Sequence, residues 1–196
     1  MTAPTPPADL AARSPRLLRL AAGAPLHRFY TAAFEPAYFD RTLAGRLNAP
    51  DATYGVLYAA EEISGAFAET FLRQPGLRQL DPGLLARKAY VRFETTRALT
   101  LIELAGPGLA IVGATAEVVH GGLPYDVPQQ WSHALHSHSL VADGIAYHAR
   151  HDDRALCYAL FNRASSHITE VERRVDLDAD WFWQLADIYQ MGFPPP

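Results

Sequence analysis

Short apolar runs separated by turn-forming residues follow one another along most of the chain. Runs rich in Val, Ile, Leu, Tyr and Phe with polar flanks are typical of strands in a sheet with at least one buried face. We therefore predict strands at 26–30, 54–60, 87–94, 98–104, 144–149, 154–162 and 167–177.

Other segments carry the spacing of an amphipathic helix. Ile63, Phe67 and Phe71 lie four residues apart, so they form one apolar stripe and predict a helix over residues 61–73. Two further helices are predicted at 128–139 and 179–190.

The remaining segments are less regular. Residues 31–53 predict mostly loop, and residues 106–126 predict irregular chain with one helical turn, because Gly and Pro interrupt both. Residues 1–24, rich in Pro and Ala, predict a flexible N-terminal segment, which leaves residues 25–196 as one domain. Strands and helices do not alternate regularly, so the pattern predicts a single compact α+β domain and not a doubly wound sheet.

Composition narrows the classes of function. The chain has 196 residues, 49% of them apolar, and a formal net charge of −4. This charge gives no reason to expect nucleic-acid binding, which needs clustered positive charge. No apolar run approaches the roughly 20 residues of a membrane span, and the N-terminus lacks a signal-peptide core. The single cysteine, Cys157, predicts a core residue in a reducing compartment, hence a cytoplasmic protein.

Arg28 is the first candidate for ligand chemistry. It shares one side of its predicted strand with Leu26 and Tyr30, so its guanidinium has apolar neighbours. A buried cation needs an anionic partner. A ligand phosphate and a carboxylate of the protein both meet that need, and the local pattern leaves both open.

Glu69 is the second candidate. It points away from Phe67 on its helix, to the side of Gly65 and Ala66, where small side chains allow a close approach. The alternative is a solvated carboxylate that pairs with Arg73 four residues on.

The histidines do not form a metal motif. His133, His136 and His138 lie close in sequence, but no HExxH pattern and no carboxylate at ligand spacing accompanies them. We therefore predict no metal site. The two common nucleotide-binding loops, GxGxxG and the P-loop, are also absent.

Four stretches together carry a family resemblance. They are HRFY at 27–30, AGRLNAP at 44–50, YGVLYAAEEISGAFAET at 54–70 and DGIAYHARHDDRALCYALFNRA at 143–164. In this order they resemble the RES domain, the toxin half of a bacterial toxin–antitoxin pair, over about residues 26–171.

The resemblance implies a fold similar to the ADP-ribosyltransferase domains of diphtheria-like toxins, with NAD⁺ as substrate and an Xre-type antitoxin as partner. Arg28 looks like the family arginine and Glu69 like the family glutamate, which makes them the catalytic candidates. Arg46 resembles a second family arginine, and Tyr58 resembles the tyrosine that lines the nicotinamide pocket. The family serine lies in a motif like YRSR, where this chain carries Ala149 as a further candidate at the NAD⁺ site.

The expected function is therefore that of an NAD⁺-consuming toxin. It would cleave the nicotinamide–ribose bond and transfer ADP-ribose to water or phosphate, without a metal. Two alternatives stay open: a mono-ADP-ribosyltransferase with a cellular protein as acceptor, and a non-catalytic binding module on the same fold. The missing serine favours the binding module somewhat.

Overall fold

The computed structural model describes residues 3–72, 76 and 78–193. These residues form a mixed α/β domain with one eight-stranded sheet. The strands are β1 (Leu17–Leu20), β2 (Pro25–Thr31), β3 (Val56–Ala60), β4 (Lys88–Thr95), β5 (Leu99–Glu103), β6 (Gly144–Ala149), β7 (Asp152–Phe161) and β8 (Ile168–Arg174). The helices are α1 (Ile63–Phe71), α2 (Pro82–Ala86), α3 (Pro107–Val112), α4 (Glu117–His120), α5 (Asp126–His136) and α6 (Asp180–Ile188), with short 3₁₀ helices at Leu10–Ala12 and Asn162–His167.

The sheet is divided by a weak seam between β2 and β3. The strand order is β1-β5-β6-β7-β3-β2-β4-β8, and all neighbours are antiparallel except β5 and β6. β2 pairs with β4 along its whole length, from Pro25 to Thr31. Against β3, however, it pairs only at His27 and Ala60. Beyond that pair β2 and β3 share no ladder, which leaves room for side chains or a ligand between them.

Helices cover one face of the sheet. The predicted stripe of α1 is confirmed, because Phe67 and Phe71 are buried and Ile63 packs against the same core. Phe29 of β2 lies edge-on to Phe71 with ring centroids 5.2 Å apart. Gly65 allows α1 to approach the sheet, since a Cβ there would lie 3.2 Å from the Ala60 Cβ.

The opposite face carries a second apolar cluster. In the described residues this cluster is made almost entirely of strand side chains from both sides of the seam. Its members include Leu26, Tyr30, Val91, Phe93, Leu57, Leu101, Tyr158 and Leu160. Burial on both faces explains why the central strands appear in the sequence as nearly continuous apolar runs.

The N-terminal segment differs from its prediction as a flexible tail. Residues Leu17–Leu20 form β1, which pairs with β5 at one edge of the sheet. Leu10 is buried in the main core, and the Trp131 indole donates a hydrogen bond to the Pro4 carbonyl at 2.7 Å. The prolines and arginines of this segment are typical of a flexible tail. The sequence does not reveal the docking, because the anchoring contacts are made with residues far along the chain.

The segment 106–126 is also more regular than predicted. It contains α3 and α4, which end at Val112 and His120, and α5 already begins at its last residue, Asp126. Short helices of this kind lack the repeat that reveals an amphipathic face. No helix among the described residues combines the length and the apolar character that crossing a bilayer requires.

Candidate functional site

A cavity of about 480 Å³ lies along the seam between β2 and β3. Its lining comes from both strands, from α1 and from the loop that follows β2. Four of the five predicted site residues line it together: Arg28, Arg46, Tyr58 and Glu69. A volume of this size is typical of small-molecule sites.

Glu69 is held at one end of the cavity by β6 and the turn that follows it. Its carboxylate accepts a hydrogen bond from the Arg150 backbone N–H at 3.0 Å and one from the Tyr147 hydroxyl at 3.4 Å. Burial and the nearby carboxylate raise the pKa of Tyr147, so this hydroxyl keeps its proton. The alternative partner, Arg73, lies outside the described residues. Glu69 thus lines the cavity, and these contacts with Tyr147 and Arg150 hold its carboxylate in place.

At the end of the cavity near Glu69, paired residues of four neighbouring strands form one row across the sheet. Tyr147 pairs with Cys157, Cys157 pairs with Ala60, and Ala60 pairs with His27. Cys157 is buried, as predicted, and burial raises its thiol pKa. This row of residues, called here the His27–Tyr147 row, fixes the position of Glu69 relative to β2.

Arg28 spans the seam. Its Nη1 donates to the Tyr58 carbonyl at 3.1 Å, an oxygen that the split sheet leaves without a strand partner on that side. Its Nε is buried and has no hydrogen-bond partner within the described residues. Burial lowers the pKa of Arg28 to about 10, while Asp40 acts in the opposite direction, so the guanidinium is charged at neutral pH. A buried cation with an unused donor is suited to an anionic ligand.

Tyr58 lines the cavity, but its hydroxyl is already engaged. It accepts the Leu47 N–H at 2.8 Å and donates to Asn48 Oδ1 at 2.9 Å. Burial raises the pKa of Tyr58, so it remains a neutral donor. The ring is therefore the part of Tyr58 that a ligand can contact.

Asn48 is a residue that the sequence analysis did not single out. It is fully buried, and its amide nitrogen donates to Asp40 Oδ2 at 2.9 Å and to the Thr42 carbonyl at 2.8 Å. Together with the bond from Tyr58, these contacts satisfy the side chain and tie the loop after β2 to β3. Gly45 is required here, because a Cβ would lie 2.2 Å from Asn48 Oδ1.

Arg46 belongs to the same loop and reaches across to the segment before α5. Its Nε donates to the Gly121 carbonyl at 3.2 Å, and its guanidinium lies 5.4 Å from the centre of the Tyr125 ring. Arg46 also lines the cavity, and its guanidinium has donors beyond the Nε that bonds to Gly121.

Ala149 does not lie with the other four predicted residues. It is fully buried in the main apolar core and is not among the residues that line the cavity. Its neighbours Tyr147 and Arg150 are the ones that reach Glu69. Alternate side chains of a strand share a face, and Tyr147 and Ala149 both belong to the main core, so Ala149 packs there without reaching the cavity.

The histidines of α5 pack against protein groups. His136 stacks on Tyr54 at 3.8 Å and faces the Arg163 guanidinium at 2.6 Å from its Nε2. Burial, followed by the Arg163 charge, lowers the pKa of His136 to about 4. In the part of the chain that the structure describes, no three His, Cys, Asp or Glu side chains are grouped as metal ligands would be.

The structure thus shows a sheet that is split between β2 and β3, with two arginines and a carboxylate lining one cavity at the split. The family model described as RES domain matches residues 16–182, which is most of the chain. The protein therefore belongs to the RES-domain family, and the predicted family is confirmed.

A solved structure shares the fold. It is a chain of the crystal structure of the M. tuberculosis MbcT–MbcA toxin–antitoxin complex, with a TM-score of 0.68 and 16% sequence identity over 86% of this chain and 92% of that one. This likeness confirms the predicted fold class, a single compact α+β domain. A search of curated proteins gives no match.

Proposed function

We propose that the protein is the toxin of a toxin–antitoxin pair and that it consumes NAD⁺ by breaking the nicotinamide–ribose bond. The observation that carries the proposal is the shared cavity of Arg28 and Glu69, an anion-binding guanidinium and a fixed carboxylate on one seam. Membership of the RES-domain family supports it.

The two arginines suit the pyrophosphate of NAD⁺. Arg28 offers a buried donor that has no partner among the described residues, and the Arg46 guanidinium is held by the Gly121 carbonyl. Guanidinium groups bind phosphate oxygens through paired charge-assisted hydrogen bonds. The cationic nicotinamide ring favours an aromatic face, and the Tyr58 ring lines the same cavity.

Glu69 suits the reacting ribose. As the bond between C1′ and the nicotinamide nitrogen breaks, its electron pair stays with the nitrogen and nicotinamide leaves as a neutral molecule. The ribose becomes oxocarbenium-like, and a carboxylate beside its hydroxyls stabilises the developing positive charge. An oxygen of water or inorganic phosphate then bonds to C1′, and water loses a proton in that step. The leaving group needs no general acid.

A direct assay tests the proposal. Purified protein is incubated with NAD⁺ in EDTA, with and without inorganic phosphate, and the products are identified by mass spectrometry. We expect released nicotinamide together with ADP-ribose or its 1″-phosphate, depending on the acceptor. The absence of nicotinamide, combined with no NAD⁺ binding by calorimetry, would refute the proposal.

We also propose an Xre-type antitoxin that covers the cavity. The solved structure with the same fold comes from a toxin–antitoxin complex, which supports such a partner here. Expression of the chain alone in bacteria should slow growth and lower NAD⁺ in the cytoplasm, whereas the Glu69→Gln variant should not. Normal growth and unchanged NAD⁺ at high yield of folded protein would contradict the toxin assignment.

A further inference from the structure

Two aromatic rings stand exposed at the edge of the cavity. Phe34 and Tyr38 stack with their centroids 5.7 Å apart and their planes 18° from parallel. Both line the cavity, yet 60% of Phe34 and 43% of Tyr38 remain exposed to solvent. Paired rings that stay accessible beside a cavity present apolar faces to a ligand. We call Phe34 and Tyr38 the mouth pair.

The mouth pair belongs to the loop that begins at the end of β2, and Phe34 bonds directly to the last residue of that strand. The Phe34 N–H donates to the Thr31 carbonyl at 2.9 Å, and the Tyr38 N–H donates to the Glu35 carbonyl at 3.1 Å. Thr31 is the last residue of β2 and lies four residues beyond His27. At a rise of about 3.3 Å per residue, Thr31 lies about 13 Å from the His27–Tyr147 row, and Phe34 of the mouth pair is attached at this end of β2.

Three chemical groups therefore follow one another along the seam. Glu69 lies at the His27–Tyr147 row, because it bonds to Tyr147. The Arg28 guanidinium comes next, because it bonds to the carbonyl of Tyr58, two residues along β3 from the row. The mouth pair comes last. A carboxylate, a guanidinium and an aromatic surface in this order match the ribose, pyrophosphate and adenine of a nicotinamide dinucleotide.

We propose that Phe34 and Tyr38 form a stacking platform for the adenine ring of NAD⁺, an assignment that rests on the proposed function. The cavity holds about 480 Å³, the size of a site for a drug-sized molecule, and a dinucleotide bound with its ribose at Glu69 extends to the mouth. Aromatic rings bind nucleobases through their faces with little preference among bases. The platform therefore selects a dinucleotide over a mononucleotide, without selecting adenine itself.

Kinetics with two substrates test the platform. NAD⁺ carries the adenosine half, and nicotinamide mononucleotide keeps the reacting bond without it. Phe34→Ala and Tyr38→Ala should each raise KM for NAD⁺ about tenfold with little change in kcat. Their kcat/KM for the mononucleotide should stay within about twofold of wild type. Phe34→Trp should retain normal KM, and nicotinamide hypoxanthine dinucleotide should replace NAD⁺.

Phe193→Ala is the matched control. Phe193 is 47% exposed and lies edge-on to Trp183 with ring centroids 4.7 Å apart, so like Phe34 it is an exposed ring in contact with a second ring, but it does not line the cavity. Its removal should change neither substrate's kinetics. Calorimetry with ADP-ribose provides a measurement that needs no turnover, and Phe34→Ala should weaken this binding about tenfold.

The results of these experiments distinguish the stacking platform from the proposed NAD⁺-consuming reaction. Unchanged NAD⁺ kinetics and unchanged ADP-ribose affinity in both alanine variants overturn the platform, as does an equal loss of activity toward NAD⁺ and the mononucleotide. A wild-type protein that binds ADP-ribose through Phe34 but releases no nicotinamide leaves the platform standing and refutes the proposed reaction.

Discussion

The cavity has two walls, the β2 wall with Arg28 and the β3 wall with Tyr58 and Asn48 behind it. They differ in how completely hydrogen bonds within the protein satisfy their polar groups. On the β3 wall, the Tyr58 hydroxyl has two partners, and Asn48 behind it uses its whole amide. On the β2 wall, Arg28 makes one bond to a carbonyl and keeps a buried Nε without a partner in the described residues. Buried polar groups are normally paired, and among those described without a partner only the Arg28 donor belongs to a residue of the cavity lining, so we expect Arg28 to face the ligand.

Arg28 and Tyr58 differ in the hydrogen-bonding groups that they leave for a ligand, although both are predicted as NAD⁺-site residues and both line the cavity. Arg28 has capacity left for a ligand, whereas the hydrogen bonds of Tyr58 maintain the wall itself. Glu69 is intermediate, because its contacts with Tyr147 and Arg150 hold the carboxylate in place while the residue still lines the cavity.

Glu69→Gln should have the largest effect. The amide keeps the shape but loses the charge that stabilises the oxocarbenium-like ribose, so kcat for NAD⁺ should fall about 10²–10³-fold while KM changes little. Glu61→Gln, at an exposed carboxylate just before the same helix, should retain full activity. Near-normal kcat in Glu69→Gln would show that Glu69 only helps to form the cavity and does not act on the reacting ribose.

Arg28→Ala should weaken both NAD⁺ binding and turnover. A charge-assisted hydrogen bond contributes about 1.5–3 kcal/mol, so NAD⁺ affinity should fall roughly 10–100-fold. Arg28→Lys keeps the charge without the fork and should recover only part of the loss. Arg19→Ala, at an exposed arginine of β1, is the control. Unchanged affinity in calorimetry would mean that the unpaired Nε does not serve the ligand.

Asn48→Asp tests whether the β3 wall must be fully bonded. The new carboxylate would face Asp40 Oδ2 and the Thr42 carbonyl in place of an amide donor. At pH 8 this repulsion should displace the loop and lower kcat/KM for NAD⁺ about tenfold.

Acid should restore the Asn48→Asp variant, because a proton shared with Asp40 recreates a donor. Its kcat/KM relative to wild type should therefore rise as the pH falls from 8 to 5. Asn48→Ala removes the amide and has no proton to gain, so its relative activity should not recover. A pH-independent defect in both variants would show that this network does not position the site.

His136 belongs to a group of α5 and neighbouring residues that support the β3 wall from behind. Ser132 of α5 donates to the Leu47 carbonyl at 2.6 Å and contacts the Tyr54 hydroxyl at 2.8 Å, and Tyr54 stacks on His136. The pKa of His136 is lowered from 6.5 to about 4. Between these values the unfolded chain binds a proton that the folded chain does not, so the free energy of unfolding should fall as pH falls.

The measurement is the melting temperature at pH 7 and pH 5. His136→Phe keeps a ring against Tyr54 and removes the titrating group, so its melting temperature should fall less than that of wild type over this interval. An identical decrease in both proteins would show that His136 does not contribute to the acid sensitivity.

Features that depend on residues close together in the sequence were predictable, whereas features that depend on contacts formed only on folding were not. The α1 stripe of Phe67 and Phe71 is local and was predictable, as were the central strands. β1 and Asn48 were not, because the edge pairing of β1 and the three bonds of Asn48 join residues whose proximity only the folded chain creates. The resemblance pointed to Arg28, Arg46, Tyr58 and Glu69, because each lies in a recognisable local stretch. All four line one cavity, and their catalytic and NAD⁺-binding roles stay predictions.

Ala149→Ser should have the smallest effect on activity. The family serine suggests that a hydroxyl there would contact the ligand, but the fully buried Ala149 packs in the apolar core and lies outside the cavity lining. A hydroxyl buried there without a partner costs about 1–3 kcal/mol, so the melting temperature should fall by several degrees while KM and kcat for NAD⁺ stay unchanged. Ala44→Ser adds the same group to an exposed alanine of the cavity lining and should leave the melting temperature unchanged. If Ala149→Ser instead improves NAD⁺ kinetics at constant melting temperature, position 149 reaches the ligand, and the turn beside Glu69 belongs to the binding surface as well as to the wall.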